Sequence, residues 1–351
     1  VLTNTSSSAS AAIDFRGGSL TLDRSTVSLN QTRGYYSCGA NGGSFTVTSS
    51  IFSQNTGTGF YRSSVNTPDF CGGVLPSFSV TNSDVWGNGN TFGPPPGATA
   101  NNLATNGPNT NTALGAGVIS ANPLFVDVAA RNLRLTQRSP ARNGGVGGVD
   151  LGALPYTTDA TPGGLQGTVW EDLAVSASAS VVGDLTVAPG VTLTLQPGVT
   201  LTFATTDLVG SGDTAVQPEL VVEGTLASVG TLGSPITFTG AGTGSSAWRG
   251  VRVQRNGQAN VANAVLEEMA AGVENRGSAG ETAALTLSGS TVRSSNSCLR
   301  TTGAGVVNTT VSGTTFTGCG QWAVRSDFGT TNVSTSVLTN TSSSASAAVV
   351  F

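Results

Sequence analysis

Residues 18–30 read GSLTLDRSTVSLN, residues 43–55 GSFTVTSSIFSQN and residues 76–88 PSFSVTNSDVWGN. Each opens on an apolar–polar–apolar alternation, the period of a half-buried β-strand. A Ser/Thr-rich corner follows, then one apolar anchor, then a small polar residue three positions on. The pattern returns at 283–295 (AALTLSGSTVRSS), at 307–319 (VNTTVSGTTFTGC) and in part at 334–340 (STSVLTN). The anchors are Val27, Phe52, Val85, Val292, Phe316 and Val337, spaced 25 and 33 residues in the first group and 24 and 21 in the second.

The centre of the chain alternates more strictly. Residues 183–203 read GDLTVAPGVTLTLQPGVTLTF, with turns at Pro189–Gly190 and Pro197–Gly198, and residues 218–239 continue in kind. Within 246–269 the piece VANAVLEEM is less regular and is the one candidate for a short helix. The 91–118 stretch has no alternation and is expected to be a long loop.

A repeat in the twenties with about three short strands per period predicts an all-β fold, a parallel β-helix. One turn cannot bury its own apolar face, but stacking turns at about 4.8 Å gives each strand two neighbours and the inward residues a continuous core. An antiparallel sandwich also uses short strands and frequent turns. It predicts no fixed column of residues, whereas this chain has one.

The column after the anchor holds Asn30, Asn55, Asn88 and Asn340, with Ser295 and Cys319 in the same place elsewhere. An Asn row can be a ligand-binding row. The alternative, preferred here, is a ladder at a tight corner, where Asn tolerates positive φ and its amide bonds to the next turn.

The chain also ends as it began. VLTNTSSSASAA occupies 1–12 and again 337–348, and the match runs to Phe15 and Phe351 with only Ile13/Val349 and Asp14/Val350 differing. Val1, Phe15, Val337 and Phe351 mark this repeat junction. Tandem repetition of a unit of about 336 residues is the reading.

Composition narrows the function. Charged residues make up 10% of the chain, and there is no His or Lys among the 351 residues; all fifteen basic residues are Arg. A net charge of −4 argues against a phosphate-bound nucleic acid. No apolar run reaches the length of a membrane span. The absence of His removes nucleophile–His catalysis. Glu171–Asp172 and Glu267–Glu268 are adjacent, so in a strand each pair points to opposite faces, and the other acids are scattered. No catalytic, cofactor-binding or metal-binding residue is expected. Cys38 and Cys71 both stand seven residues before a strand Phe, and Cys298 and Cys319 lie about one turn apart. Two disulfides between neighbouring turns, and an oxidising exported location, are the expectation; buried free thiols are the alternative.

At 119–155 the sequence ISANPLFVDVAARNLRLTQRSPARNGGVGGVDLGALP resembles the closing segment of bacterial right-handed β-helix proteins with choice-of-anchor Q domains. The matching residues are Asn122 through Asp127, then Ser139, Pro140 and Ala141, then Asp150 through Ala153. Arg142–Asn143 and Leu154–Pro155 depart from that pattern. Residues 183–203 resemble the opening turns of the same pectate-lyase-like superfamily. The resemblance implies that 1–155 is the C-terminal half of a β-helix module closed by 119–155, that 156–165 is a linker, and that 166–351 is the N-terminal half of the next module, its end 337–351 repeating 1–15. Two half-length β-helices side by side, with a local duplication, is the other possibility.

The expected function is a non-enzymatic extracellular structural protein, a β-solenoid fibre at the bacterial cell surface built by end-to-end self-association. One module would rise roughly 55–65 Å. The rival is a glycan-binding adhesin or a polysaccharide-active relative, for which Tyr35, Tyr36, Tyr61, Trp86, Trp170, Trp248 and Trp322 are the sugar-stacking candidates.

Overall fold

The computed structural model describes residues 1–3, 11–38, 43–63, 77–89, 103–106, 114–242, 244, 246–340 and 349–350. The chain divides into two compact units, Val1–Thr161 and Pro162–Phe351. Each is all-β, and no helix occurs among the described residues.

Val1–Thr161 is built from three parallel ladders. Ala11–Phe15, Arg33–Cys38, Phe60–Ser63 and Leu103–Asn106 form the first. Ser19–Asp23, Ser44–Thr48 and Ser77–Thr81 form the second, and Thr26–Ser28, Ile51–Ser53 and Asp84–Trp86 the third. Successive turns are 25 and then 33 residues apart. The alternation read from the sequence is the alternation of burial: in SFTVT at 44–48, Phe45 and Val47 are buried and their neighbours half-buried. Inward rings fill the space between ladders, with Tyr35 stacked on Phe45 at 4.0 Å and Phe52 tilted against Phe60 at 4.3 Å.

The third ladder is buried on both faces. Val27, Phe52 and Val85 face the interior, while Ile51 packs outward against Phe125, Leu133, Leu135, Ala141 and Leu151 of the 119–155 segment. That segment carries an antiparallel pair, Phe125–Asp127 with Asn132–Leu135. It is fastened to the ladder by hydrogen bonds from Val146 N to Ser49 Oγ (3.1 Å) and from Ala153 N to Thr26 Oγ1 (2.9 Å). Gly152 lies at φ +80°, and a Cβ there would stand 2.7 Å from Thr26 Oγ1 and 2.8 Å from Ile51 Cδ1. Only glycine meets both demands.

Pro162–Phe351 repeats the architecture with more turns. One seven-stranded ladder runs through Leu173–Val175, Thr192–Leu195, Thr225–Val229, Gln258–Ala262, Thr282–Ser288, Val306–Ser312 and Thr330–Ser334. The other two merge into one 14-stranded sheet at the long strand Ala179–Val187. The first half of that strand pairs with Thr200–Phe203 and the second half with Glu219–Val222. One arm then continues through Ile236–Gly240, Ala264–Glu267, Thr291–Ser295 and Thr315–Cys319 to Val337–Asn340. The other passes through Trp248–Val253, Met269–Gly277, Leu299–Gly303 and Val324–Ser326 to Val349–Val350. Along the seven-stranded ladder the first step is 20 residues, the next two are 33, and the step then shortens to 26, 24 and 22 residues. A single apolar cluster extends from Val169 to Val324, and its largest buried side chain, Trp248, stacks on Phe203 at 3.8 Å. The chain is therefore all-β, parallel and solenoid-like.

Three expectations are corrected. VANAVLEEM is not helical: it runs from the end of Gln258–Ala262 through Ala264–Glu267 to the start of Met269–Gly277, the strands separated by Asn263 at φ +47° and Glu268 at φ +64°. Val261, Ala264 and Leu266 still reach the core, but through strand geometry, because parallel neighbours on both sides offer backbone partners. The last anchor is Leu338, which pairs with Phe316; Val337 pairs with Thr315 and is 57% exposed. A one-residue shift in a strand moves a side chain to the other face. The 91–118 stretch is not loop throughout, since Leu103–Asn106 extends the first ladder.

Candidate functional site

Two constructions concentrate polar chemistry, one in each unit. In Val1–Thr161, Asn30, Asn55 and Asn88 are buried one above another. Asn30 Nδ2 donates to Asn55 Oδ1 and Asn55 Nδ2 to Asn88 Oδ1, both at 2.8 Å. Each amide also serves the backbone. Asn55 Oδ1 accepts from Asn30 N at 3.2 Å, Asn55 Nδ2 donates to Val27 O at 3.1 Å, and Asn88 Nδ2 donates to Phe52 O at 2.9 Å. The positive φ belongs to the residue before each Asn: Leu29, Gln54 and Gly87. The sequence reading put it on the Asn itself. The left-handed residue turns the corner, so the following side chain points along the stack. Asn340 is in backbone register with Cys319, which follows Ser295 in its own column.

A second corner, the Ser/Thr-rich one of the sequence repeats, precedes the third ladder. Arg24, Ser49 and Asn82 take positive φ there, and Ser50 Oγ and Ser83 Oγ accept from Ser25 N and Ser50 N. The pattern recurs in the other unit, where Ser290 Oγ and Ser336 Oγ accept from Ala264 N and Thr314 N. The recurrent Ser/Thr corner of the sequence repeats was its signal.

Asp84, also in the third ladder, is fully buried. Its Oδ1 accepts from Ala121 N at 3.2 Å, while Oδ2 has no hydrogen-bond partner. Burial raises its pKa well above the ordinary carboxylate range.

In Pro162–Phe351 the acids are not scattered, as the sequence had suggested. Asp184 Oδ1 accepts from Glu219 N at 2.9 Å, and Ser211 Oγ lies 2.7 Å from Asp184 Oδ2. Asp207 caps the loop through Asp184 N, Val209 N and Gly210 N. Glu219 Oε1 accepts from Asp213 N at 2.8 Å and from Arg252 Nη2 at 2.6 Å. Asp213 meets Arg252 closely, Arg276 at 3.3 Å and Arg249 at 3.6 Å. Burial, then the Asp207 charge, push Asp184 up to about 9. Burial raises Glu219 too, outweighing Arg252. Burial acts upward on Asp213 as well, but the guanidinium groups of Arg252, Arg276 and Arg249 hold it below its ordinary value.

The same outer column carries charge onward. Arg252 is in register with Glu274, Glu274 with Arg300, and Arg300 with Arg325. Arg300 and Arg325 share Asp327 at 2.7 and 2.5 Å. Asp184 and Asp207 turn their oxygens to loop amides, and Glu219, Asp213 and Asp327 turn theirs to arginines. The arrangement fastens a loop and ties turn to turn. Among the described residues no group of His, Cys, Asp and Glu is placed to hold a metal ion.

Cys298 and Cys319 are joined as a disulfide between neighbouring turns. Cys71 and the side chain of Cys38 lie outside the described residues, as do Phe351 and the side chain of Asn340. Val1 is exposed, and Phe15 is buried beside Tyr35 and Phe45. Of the sugar-stacking candidates, Tyr35 and Trp248 are fully buried and closed to any ligand, a correction set by the inward face of their strands. Tyr36 is buried and stacks on half-buried Tyr61 at 5.7 Å, with the Arg33 guanidinium 4.4 Å from the Tyr61 ring centre. Trp86, Trp170 and Trp322 are half-buried, and Arg325 lies over Trp322 at 4.6 Å. Compared with protein-family models, curated proteins and solved structures, the chain matches none.

Proposed function

We propose that the chain is a non-enzymatic extracellular structural protein. It is read as a right-handed parallel β-helix whose modules join end to end into a fibre at the bacterial cell surface. One observation carries the reading: the ladders propagate by parallel pairing from turn to turn, and the segment on their last turn is the segment that begins the chain. Polar side chains support it, because Asn, Ser and Arg–carboxylate contacts run along the stack and fasten neighbouring turns. The disulfide suits an oxidising, exported location. Negative-stain imaging tests the reading. Filaments with an axial repeat of roughly 55–65 Å are expected, and discrete particles at every concentration would refute it.

The rival, a glycan-binding adhesin, rests on half-buried Trp86, Trp170 and Trp322 and on the Tyr36–Tyr61 pair. The ring faces of the Tyr36–Tyr61 pair are already engaged by each other and by Arg33. Binding on a glycan array that is lost in Tyr61→Ala would favour it.

A further inference from the structure

The two copies of the repeated segment use opposite backbone edges. In the first copy, Leu2 N donates to Thr26 O at 2.8 Å and Leu2 O accepts from Ser28 N at 3.1 Å. In the second copy, Val337 N donates to Thr314 O at 2.9 Å. Along a parallel strand, successive residues direct their N–H and C=O to alternate sides. Val1 and Val337 occupy the same place in the segment, as do Leu2 and Leu338. One segment can therefore bond to 314–316 through its valine and to 26–28 through its leucine at the same time.

The columns continue across such a joint. Phe316 pairs with Leu338, and the equivalent Leu2 pairs with Val27, which leads to Phe52 and Val85. Val324 pairs with Val349, and the equivalent Ile13 pairs with Tyr35, which leads to Phe60. Among the described residues the remaining ladder ends are open. Thr330–Ser334 terminates the seven-stranded ladder, and Ser19–Asp23 begins the second ladder of Val1–Thr161. Apolar side chains are exposed at both ends: Phe328, Val333 and Val337 at one, Val1 and Leu2 at the other.

Charge favours one copy over the other. Val350 is in register with Arg325, and the first copy carries Asp14 at that place. Arg325 shares Asp327 with Arg300, which Glu274 also meets at 3.6 Å, while Arg16 holds Asp14 at 2.7 Å on the surface.

We propose that residues 1–3 and Ala11–Phe15 of a second copy of this chain dock on the Thr315–Cys319 and Val324–Ser326 edges in place of Val337–Asn340 and Val349–Val350. Asp14 then faces Arg325, and Ser19–Asp23 covers Thr330–Ser334. The joint deepens the fibre reading and rests on it.

Sedimentation velocity over a concentration series tests the joint, on variants of the 351-residue chain whose thermal transitions match the parent. Asp14→Arg should raise the half-assembly concentration roughly tenfold, the loss of one charge-assisted contact. Adding Arg325→Asp to it should restore assembly to within about threefold, since the pair is then reversed. Assembly unchanged by Asp14→Arg, or no rescue in the double variant, overturns the joint and leaves the fibre reading standing. If the parent does not assemble, the fibre reading fails, and the joint is tested on a single chain in which 162–336 run directly into 1–161. One cooperative thermal transition supports the shared segment; two independent transitions overturn it.

Discussion

Replacing Asn55 by Ala removes the middle rung of the Asn ladder. Four hydrogen bonds disappear: those from Asn30 N and Asn30 Nδ2 to Oδ1, and those from Nδ2 to Val27 O and Asn88 Oδ1. The site is buried, so water does not replace them. Each net bond is worth about 0.5–1.5 kcal/mol, and a buried donor left without its acceptor costs about 1–3 kcal/mol. Asn88 Oδ1 keeps Asn55 N, and Asn30 Nδ2 keeps Ser28 O, so the damage centres on Asn30 N and the small void. The expected loss is about 3 kcal/mol. For a unit the size of Val1–Thr161, each kcal/mol lowers Tm by about 2–4 °C, giving a drop of about 6–12 °C. Differential scanning calorimetry should show this in the transition of Val1–Thr161 and leave that of Pro162–Phe351 in place. Asn55→Asp keeps the accepting oxygens but buries a charge, so it should recover stability as pH falls and the carboxyl protonates. A loss below about 1 kcal/mol, or a shift in the other unit, would refute the argument that this column fastens the turns.

Three further outcomes are expected. Cys298→Ala with Cys319→Ala should lower the stability of Pro162–Phe351 by about 3 kcal/mol, seen as a calorimetric shift that reductant reproduces in the parent and not in the variant. Asp184→Asn should flatten the pH dependence of that unit: with a folded pKa raised to about 9, Asp184 stabilises most below its unfolded value of about 4, and the contribution is lost as pH rises toward 9. Urea midpoints at pH 5 and pH 8 measure this, and an unchanged slope would contradict it. Trp248→Ala, which empties the place beside Phe203, should cost about 3–5 kcal/mol by urea denaturation.

Much of the architecture was written in the order of residues. Alternation at 18–30, 43–55 and 76–88 marked strands, because a strand with one buried face must repeat every second residue. The fixed place of Val27, Phe52 and Val85 marked stacking, and the identity of 1–12 with 337–348 marked repetition. Local pattern was weakest where a neighbour decides. VANAVLEEM has too little periodicity to choose between helix and strand, and strands on either side chose for it. Val337 and Leu338 are both apolar, so only the pairing with Phe316 showed which faces inward.

The chemical sites divide the same way. The Asn column was visible because its members keep one spacing from their anchors. The meeting of Asp184, Asp207, Asp213 and Glu219 with Arg249, Arg252 and Arg276 was not, since these residues lie on different turns and a loop between them. Sequence by itself determined a strand-forming, repeating chain, because periodicity is a property of neighbours along the backbone. Tertiary structure alone decided which charges meet and which edges stay open, because contacts between turns depend on the length of every loop in between.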